Sequence, residues 1–537
     1  VLLHEICDLA AAEAPHATAL VSDGRRLSFA GLAQRVEAVA ALVGRHTAPG
    51  DRVVLVADNH LDVVTALYAV PRAGAILTPA NTRHTPAEVA ALIEATRPTL
   101  LLGDPTQLDR LAGALPTGAG VPTVLSLGGA HPSASGDLTA LADALAGAPD
   151  AAPTDRAATA APTAATAAAA TADDGACACA WLIHTSGTTG RPKGAMLTHR
   201  SLIAAVLNSA IARPLRDDDV YLFPFPLFHV AAYNVVHAHL RRRPVVLVPR
   251  FDAATVLALI DAERVTCCSL APTMLSMLLD HPDRSAASLD GLRQISYGAS
   301  AMPLDLLRRV LEELPHCGLA QGYGMTELSG NAVFLSPEDH RRAAAEEPGM
   351  LAAAGRPGPL VALRIVDDDD REVAPGEPGE ILVRGDQVCA GYWNDPDASA
   401  AVRLGPWLRT GDIGRIDDGV LYVVDRKKDL IITGGENVAS REVEDVVSLH
   451  PDVAAVAVVG VPDDRWGETV CAVVVPRAGA APIDPAALIA WTEGRLAGFK
   501  RPRRVVVTTE LPLNASGKVD KVALRRLAAE HPDRRPG

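Results

Sequence analysis

Short apolar runs of strand length alternate with segments of helical period through about the first hundred residues, and few architectures accept that pattern. Leu32, Val36, Val39 and Val43 recur at helical spacing, and residues 53–56 form a continuous apolar run of the buried-strand kind. Residues 62–73 predict a second helix and residues 75–79 another strand. Thr85-Pro86-Ala87-Glu88 then reads as a helix start, with threonine as N-cap, proline at the first helical position and glutamate three residues after the cap. Residues 99–102 close the series as a further strand. Such alternation needs largely parallel strands covered by helices, so the expected class is α/β.

At 537 residues the chain holds roughly three to four domain equivalents, enough to bury more than one core without covalent staples. Between residues 147 and 171 the composition collapses to Ala, Thr and Pro. That stretch is expected to be a flexible surface connection, although its alanines also permit a helix. A second change comes at Asp425-Arg426-Lys427-Lys428-Asp429, a charged run followed by Leu430-Ile431-Ile432 and the turn Gly434-Gly435. Beyond it lie a helix start at Ser440, strand candidates at 454–461 and 470–475, a helix start at Asp484-Pro485 and a strand at 504–508. This is an α+β unit of about 110 residues. The expected division is therefore a large α/β domain over residues 1–427, with mostly parallel sheets flanked by helices, and a small mobile domain over 428–537.

The eight cysteines show no Cys-x-x-Cys and no zinc spacing, which fits small buried hydrophobes in a reducing compartment. A net charge of −14 disfavours non-specific binding to nucleic acid or to anionic membranes. Two local basic runs, Arg241-Arg242-Arg243 and Lys500-Arg501-Pro502-Arg503-Arg504, fit either a solvated face or contact with a polyanionic cosubstrate. No apolar run reaches about 18 residues, and the first residues lack the basic start and apolar core of a signal peptide. A cytoplasmic enzyme without membrane or nucleic-acid partners is the expectation.

Chemistry concentrates in a few segments. Thr185-Ser186-Gly187-Thr188-Thr189-Gly190-Arg191-Pro192-Lys193-Gly194 follows the apolar stretch Trp181-Leu182-Ile183. Four hydroxyls, glycines that let backbone N–H groups approach closely and one lysine suit a cradle for phosphate oxygens. It is neither a Walker A loop nor a dinucleotide fingerprint. Gln321-Gly322-Tyr323-Gly324-Met325-Thr326-Glu327 offers a ring to stack a purine, a hydroxyl for the α-phosphate and a carboxylate for Mg²⁺. Trp407-Leu408-Arg409-Thr410-Gly411-Asp412 places an aspartate in an expected turn, where its oxygens suit the two ribose hydroxyls, and Arg426 is in reach of ribose or phosphate. Finally, Pro512-Leu513-Asn514-Ala515-Ser516-Gly517-Lys518 carries a lysine on a glycine-preceded loop.

In this order the segments resemble the motif set of the adenylate-forming superfamily, which includes acyl-CoA synthetases, adenylation domains of nonribosomal peptide synthetases and firefly luciferase. The resemblance covers essentially the whole chain. It implies that Thr185, Ser186, Gly187, Thr188, Thr189, Gly190 and Lys193 hold the β- and γ-phosphates of ATP, and that His229 lines the acyl site and gates a thiol channel. Gly298, Ala299 and Ser300 would wall the acyl and adenine pockets with Gly322 to Met325, Tyr323 stacking on adenine, Thr326 on phosphate and Glu327 on Mg²⁺. Asp412 would bind ribose, Arg426 the nucleotide, Lys428 would be the hinge, and Lys518 the lysine of adenylation.

The implied activity is ATP-dependent conversion of a carboxylic acid to an acyl-adenylate, then transfer to the thiol of coenzyme A. Phe499-Lys500-Arg501-Pro502-Arg503 also resembles a stretch common in acyl- and aryl-CoA ligases. The residues after His229, Val230-Ala231-Ala232-Tyr233-Asn234, lack the aspartate that pairs with an α-amine in amino-acid-activating relatives, which points to an apolar or aromatic acid. Tyr233, Asn234 and Tyr297 are open either to a polar ring substituent or to structural packing. Delivery to a carrier protein or another nucleophile, and activation of an unusual oxyanion such as nitrite, are the alternatives.

Overall fold

The computed structural model describes residues 1–115, 122–140, 143, 172–185, 192–284, 289–298, 300, 302–463, 465–513 and 519–530. The alanine-rich stretch at 147–171 lies outside them. Residues 1–426 build three sheets. The first runs, in spatial order, Thr123–Ser126, Leu100–Gly103, Arg52–Val56, Ile76–Pro79, Cys179–Thr185 and Lys193–Thr198, parallel except for the last pair. A nine-stranded sheet carries a parallel centre that includes Cys267–Leu270, Gln294–Gly298 and Gly318–Met325, with antiparallel strands at its edges.

The first strands and helices fall where the alternation puts them. Leu32, Val36, Val39 and Val43 are buried in the helix Phe29–Gly44, and the helix Pro86–Thr96 opens with the expected reciprocal Thr85–Glu88 capping box. Trp181 is fully buried and donates its indole N–H to the Leu67 carbonyl at 3.1 Å. That anchor fixes the strand Cys179–Thr185 against the helix Leu61–Arg72.

A third sheet, over residues 362–426, is antiparallel: Ala362–Val366, Gly379–Arg384, Trp407–Asp417 and Val420–Arg426 pair in turn. Asp412 therefore sits within a long strand, which corrects the expectation of a turn. The turn-like Thr410-Gly411 sequence is absorbed as an irregularity, with Gly411 at φ +71° and the register slipping between Ile413 and Gly414.

Beyond residue 430 a separate core forms around Val443, Val458, Ala472 and Val474. The hairpin Ile431–Thr433 and Glu436–Val438 turns on Gly434 and Gly435, both at positive φ, and the long strands Val453–Asp463 and Gly467–Pro476 pair antiparallel. Among the described residues no helix is long and apolar enough to cross a membrane.

Candidate active site

The described residues of the phosphate-loop decapeptide lie on two antiparallel strands. Thr185 and Lys193 are the last paired positions of those strands, and the Thr185 hydroxyl lies 3.4 Å from the Lys193 carbonyl oxygen. Ser186, Gly187, Thr188, Thr189 and Gly190 lie outside the described residues.

A second segment, not singled out by the sequence, is laced along the returning strand. The Trp393 N–H donates to the Gly194 carbonyl at 2.8 Å, the Met196 N–H to Gly391 at 2.9 Å and the Ala390 N–H to Met196 at 2.9 Å. Between these bonds stands Tyr392, whose ring lies under the Lys193 ammonium at 5.2 Å. Its hydroxyl donates to Glu327 Oε1 at 2.8 Å, and the neighbouring Cys389 N–H donates to the Glu327 carbonyl, also at 2.8 Å. Lysine, phenol and carboxylate form one connected group.

Glu327 is buried in the short 3-10 turn Thr326–Leu328, directly after the strand Gly318–Met325. The glycines of that strand are needed for closeness, not flexibility. A Cβ on Gly324 would meet the Gly330 carbonyl oxygen at 2.1 Å, and one on Gly298 would meet that of Gly322 at 2.6 Å. Ala299 lies outside the described residues, and Thr326 is half-buried.

Further along the same strand, the Tyr323 hydroxyl donates to Asp412 Oδ2 at 2.8 Å, while Arg426 Nε lies 3.2 Å from Asp412 Oδ1. Arg426 and Asp412 are cross-strand partners, which is why their side chains meet. Burial, with help from the Asp412 charge, pushes the Tyr323 phenol well above its ordinary value, so it remains a donor. Tyr323, Asp412 and Arg426, the residues expected at adenine, ribose and nucleotide, thus share one linked unit.

His229, expected to line the acyl site, precedes the 3-10 turn Val230–Ala232, with its ring 4.5 Å from that of Phe228. The three polar groups left open for substrate recognition are engaged by the scaffold. Ser209 donates to the Tyr233 hydroxyl at 3.1 Å; Arg213 donates to Asn234 Oδ1 at 2.7 Å, and Asn234 Nδ2 to the Ala231 carbonyl. Tyr297 bonds Gln321 Oε1 at 3.2 Å and His340 Nε2 at 2.8 Å. All three are buried, and structural packing is the reading they fit.

Lys428 is exposed in the 3-10 turn Lys427–Asp429 that joins the two units. Across it, Asp425 accepts from the Ser440 N–H at 2.5 Å and hydroxyl at 2.7 Å, capping a helix whose own N-cap residue, Ala439, supplies no side-chain bond. Lys518 lies outside the described residues; Leu513 and Val519, on either side of its loop, are bridged. The basic runs are partly tied down by the chain's own acids, Arg242 by Glu13, Arg501 by Glu493 and Lys500 by Glu442. Arg503 instead stacks on Trp466 at 4.4 Å, with Arg465 at 4.8 Å from the same indole.

The donor set suits Mg²⁺ brought by a nucleotide. Among the described residues no three His, Cys, Asp or Glu side chains converge as a metal group, while one carboxylate, Glu327, is buried and held at a single oxygen. One protein carboxylate completed by phosphate and water oxygens is what this hard cation accepts.

The family described as AMP-binding enzyme matches residues 7–393, and its C-terminal domain matches residues 442–518. The chain is 38% identical to an indoleacetate–CoA ligase of Aromatoleum aromaticum over 535 residues, covering 98% of each protein. It is 37% identical to a feruloyl-CoA synthase of an Amycolatopsis species over 518 residues, covering 95% of this chain and 96% of the relative. Among solved structures, an amide bond synthetase of Marinactinospora thermotolerans superposes with a TM-score of 0.85 at 31% identity, over 98% of this chain and 99% of that one. Motif order, two-part architecture and these likenesses agree: the chain belongs to the AMP-binding enzymes of the adenylate-forming superfamily.

Proposed function

We propose that this chain is an AMP-forming aryl-CoA ligase. One carboxylate oxygen of the acid attacks the α-phosphorus of ATP, the bond to the pyrophosphate oxygen breaks, and a mixed acyl-phosphate anhydride forms. The thiol of coenzyme A then attacks the acyl carbon, AMP leaves, and a thioester results. The observation that carries this reading is the junction of the Lys193–Tyr392–Glu327 group with the Tyr323–Asp412–Arg426 group through one strand.

In this reading Asp412 and Arg426 hold the ribose end of the nucleotide, Tyr323 walls the adenine, and Lys193 with the hairpin loop receives the terminal phosphates. A magnesium ion bound with the nucleotide would neutralise charge at the phosphates, and Glu327 would hold it. Thr326 meets the α-phosphate, and Lys518, on a loop of the small unit, approaches the developing charge between carboxylate and phosphorus. Rotation about Lys428 withdraws that lysine before the thiol arrives and opens the path that His229 lines, so residues 1–427 and 428–537 act as separate bodies.

An aromatic acid is supported by the two relatives named for ferulate and indoleacetate, which align along nearly the whole chain. Coenzyme A is supported by the Arg465–Trp466–Arg503 stack, a cationic aromatic surface beside the Gly434-Gly435 turn that suits a polyanionic purine nucleotide. The likeness to an amide bond synthetase favours a second reading, in which an amine takes the acyl group. Acid-dependent pyrophosphate exchange over a panel of cinnamic, arylacetic, fatty and amino acids identifies the acid. Thioester against amide, scored with coenzyme A and amines in competition, identifies the acceptor. Exchange confined to fatty or amino acids would overturn the aromatic assignment.

A further inference from the structure

Tyr392 meets two parts of the site at once and is itself anchored at its backbone. Its hydroxyl holds Glu327 Oε1 at 2.8 Å, its ring carries the Lys193 ammonium at 5.2 Å, and its backbone N–H is held by the Ser399 hydroxyl at 2.8 Å. Both Tyr392 and Glu327 are buried, so the carboxylate has little water to compete for that oxygen. The segment around the tyrosine cannot drift, because its backbone is bonded to Gly194 and Met196 on one side and to the Glu327 carbonyl on the other.

We propose that Tyr392 is a positioning residue that locks the Glu327 carboxylate to the strand leaving the phosphate loop, so that a nucleotide-borne divalent cation meets it in a single orientation. The inference rests on the adenylating reading above and deepens it, giving Tyr392 a role that reading leaves unassigned. Its logic is that of an outer-shell partner: the carboxylate is the ligand, and the phenol sets its rotamer. The same ring seats Lys193, so phosphate charge and cation charge are placed by one side chain.

The test uses the full-length chain and measures ATP binding by titration calorimetry at increasing Mg²⁺, alongside pyrophosphate exchange. Tyr392→Phe keeps the ring and removes the hydroxyl; it is expected to raise the half-saturating Mg²⁺ concentration about tenfold, with excess Mg²⁺ restoring most of the exchange rate. In a Glu327→Gln background the same change should shift nothing further, because the hydroxyl acts only through that carboxylate. A half-saturation within about twofold of the parent, or an equal shift in both backgrounds, overturns the proposal. So does a lower melting temperature with an unchanged Mg²⁺ requirement, the mark of a packing role. Should Tyr392→Phe fail to fold, Ser399→Ala loosens the tyrosine from its backbone and is expected to shift the Mg²⁺ requirement in the same direction; no shift there counts against the proposal. Parent protein that binds ATP with Mg²⁺ but exchanges no pyrophosphate with any acid sinks the functional reading instead, and the binding titration still decides the tyrosine.

Discussion

The residues proposed for the nucleotide end and those flanking the proposed acyl end are built to opposite plans. At the nucleotide end the polar groups are gathered from distant segments and joined to one another, as in Tyr323–Asp412–Arg426 and Lys193–Tyr392–Glu327. At the acyl end Tyr233, Asn234 and Tyr297 spend their hydrogen bonds on Ser209, Arg213, Gln321 and His340. A polar group already satisfied inside the fold is a poor reporter of substrate chemistry.

The strongest way to break this contrast is Lys518→Ala. It should cut acid-dependent pyrophosphate exchange about a thousandfold while sparing thiolysis of supplied acyl-adenylate. Equal loss of both half-reactions in a folded variant would remove the lysine from the adenylating step. Asp412→Ala takes away the acceptor shared by Tyr323 and Arg426, and the KM for ATP should rise about a hundredfold with little change in acid preference. Steady-state kinetics with two competing acids would show whether preference moves.

Acid should act on the scaffold more evenly, because buried neutral histidines stand at both ends. Burial first of all holds the imidazoles of His184, beside the phosphate-loop strand, and His340, on Tyr297, at about 4 against 6.5 in the open chain, and that of His237 at about 3. His199 and His239, elsewhere in the core, are likewise held at about 4. The unfolded chain then binds more protons than the folded one throughout that interval. Stability is fully present above 6.5 and is lost as the pH falls toward 4. Urea midpoints measured across this range should fall steadily, and a flat profile would show these rings protonated in the fold. The smallest effect is expected for Tyr297→Phe, which removes the bond at His340 Nε2 while Nδ1 keeps the Ser336 carbonyl: a stability loss of about 1–3 kcal/mol by urea unfolding, with the ratio of rates for two aromatic acids unchanged. A changed ratio would return Tyr297 to the acid-recognising wall.

Local signals in the sequence foretold local structure. The Thr85–Glu88 box, the helical spacing from Leu32 to Val43 and the Gly434-Gly435 turn each depend on neighbours a few positions away, and each forms. Tyr323, Glu327, Asp412 and Arg426 stood out because their types and order resemble a known set, and the structure joins Tyr323, Asp412 and Arg426 in one group and Glu327 to Tyr392 in another. Tyr392 did not stand out, since its partner is 65 positions distant and nothing in Gly391-Tyr392-Trp393 announces a carboxylate. The strand position of Asp412 was missed for a related reason: Thr-Gly-Asp has turn composition, and only pairing with two flanking strands reveals an irregular strand. The internal use of Tyr233, Asn234 and Tyr297 could not be read either, because a hydrogen bond across 21 to 43 positions leaves no periodicity.

In the proposed reaction the enzyme joins an aromatic acid to the α-phosphate of ATP. Incubating the enzyme with α-labelled ATP, Mg²⁺, coenzyme A and hydroxycinnamic or arylacetic acids, and separating the nucleotides, tests it most directly. The account predicts AMP formed only when acid is present, in step with thioester; labelled ADP, or AMP released regardless of acid, would contradict it.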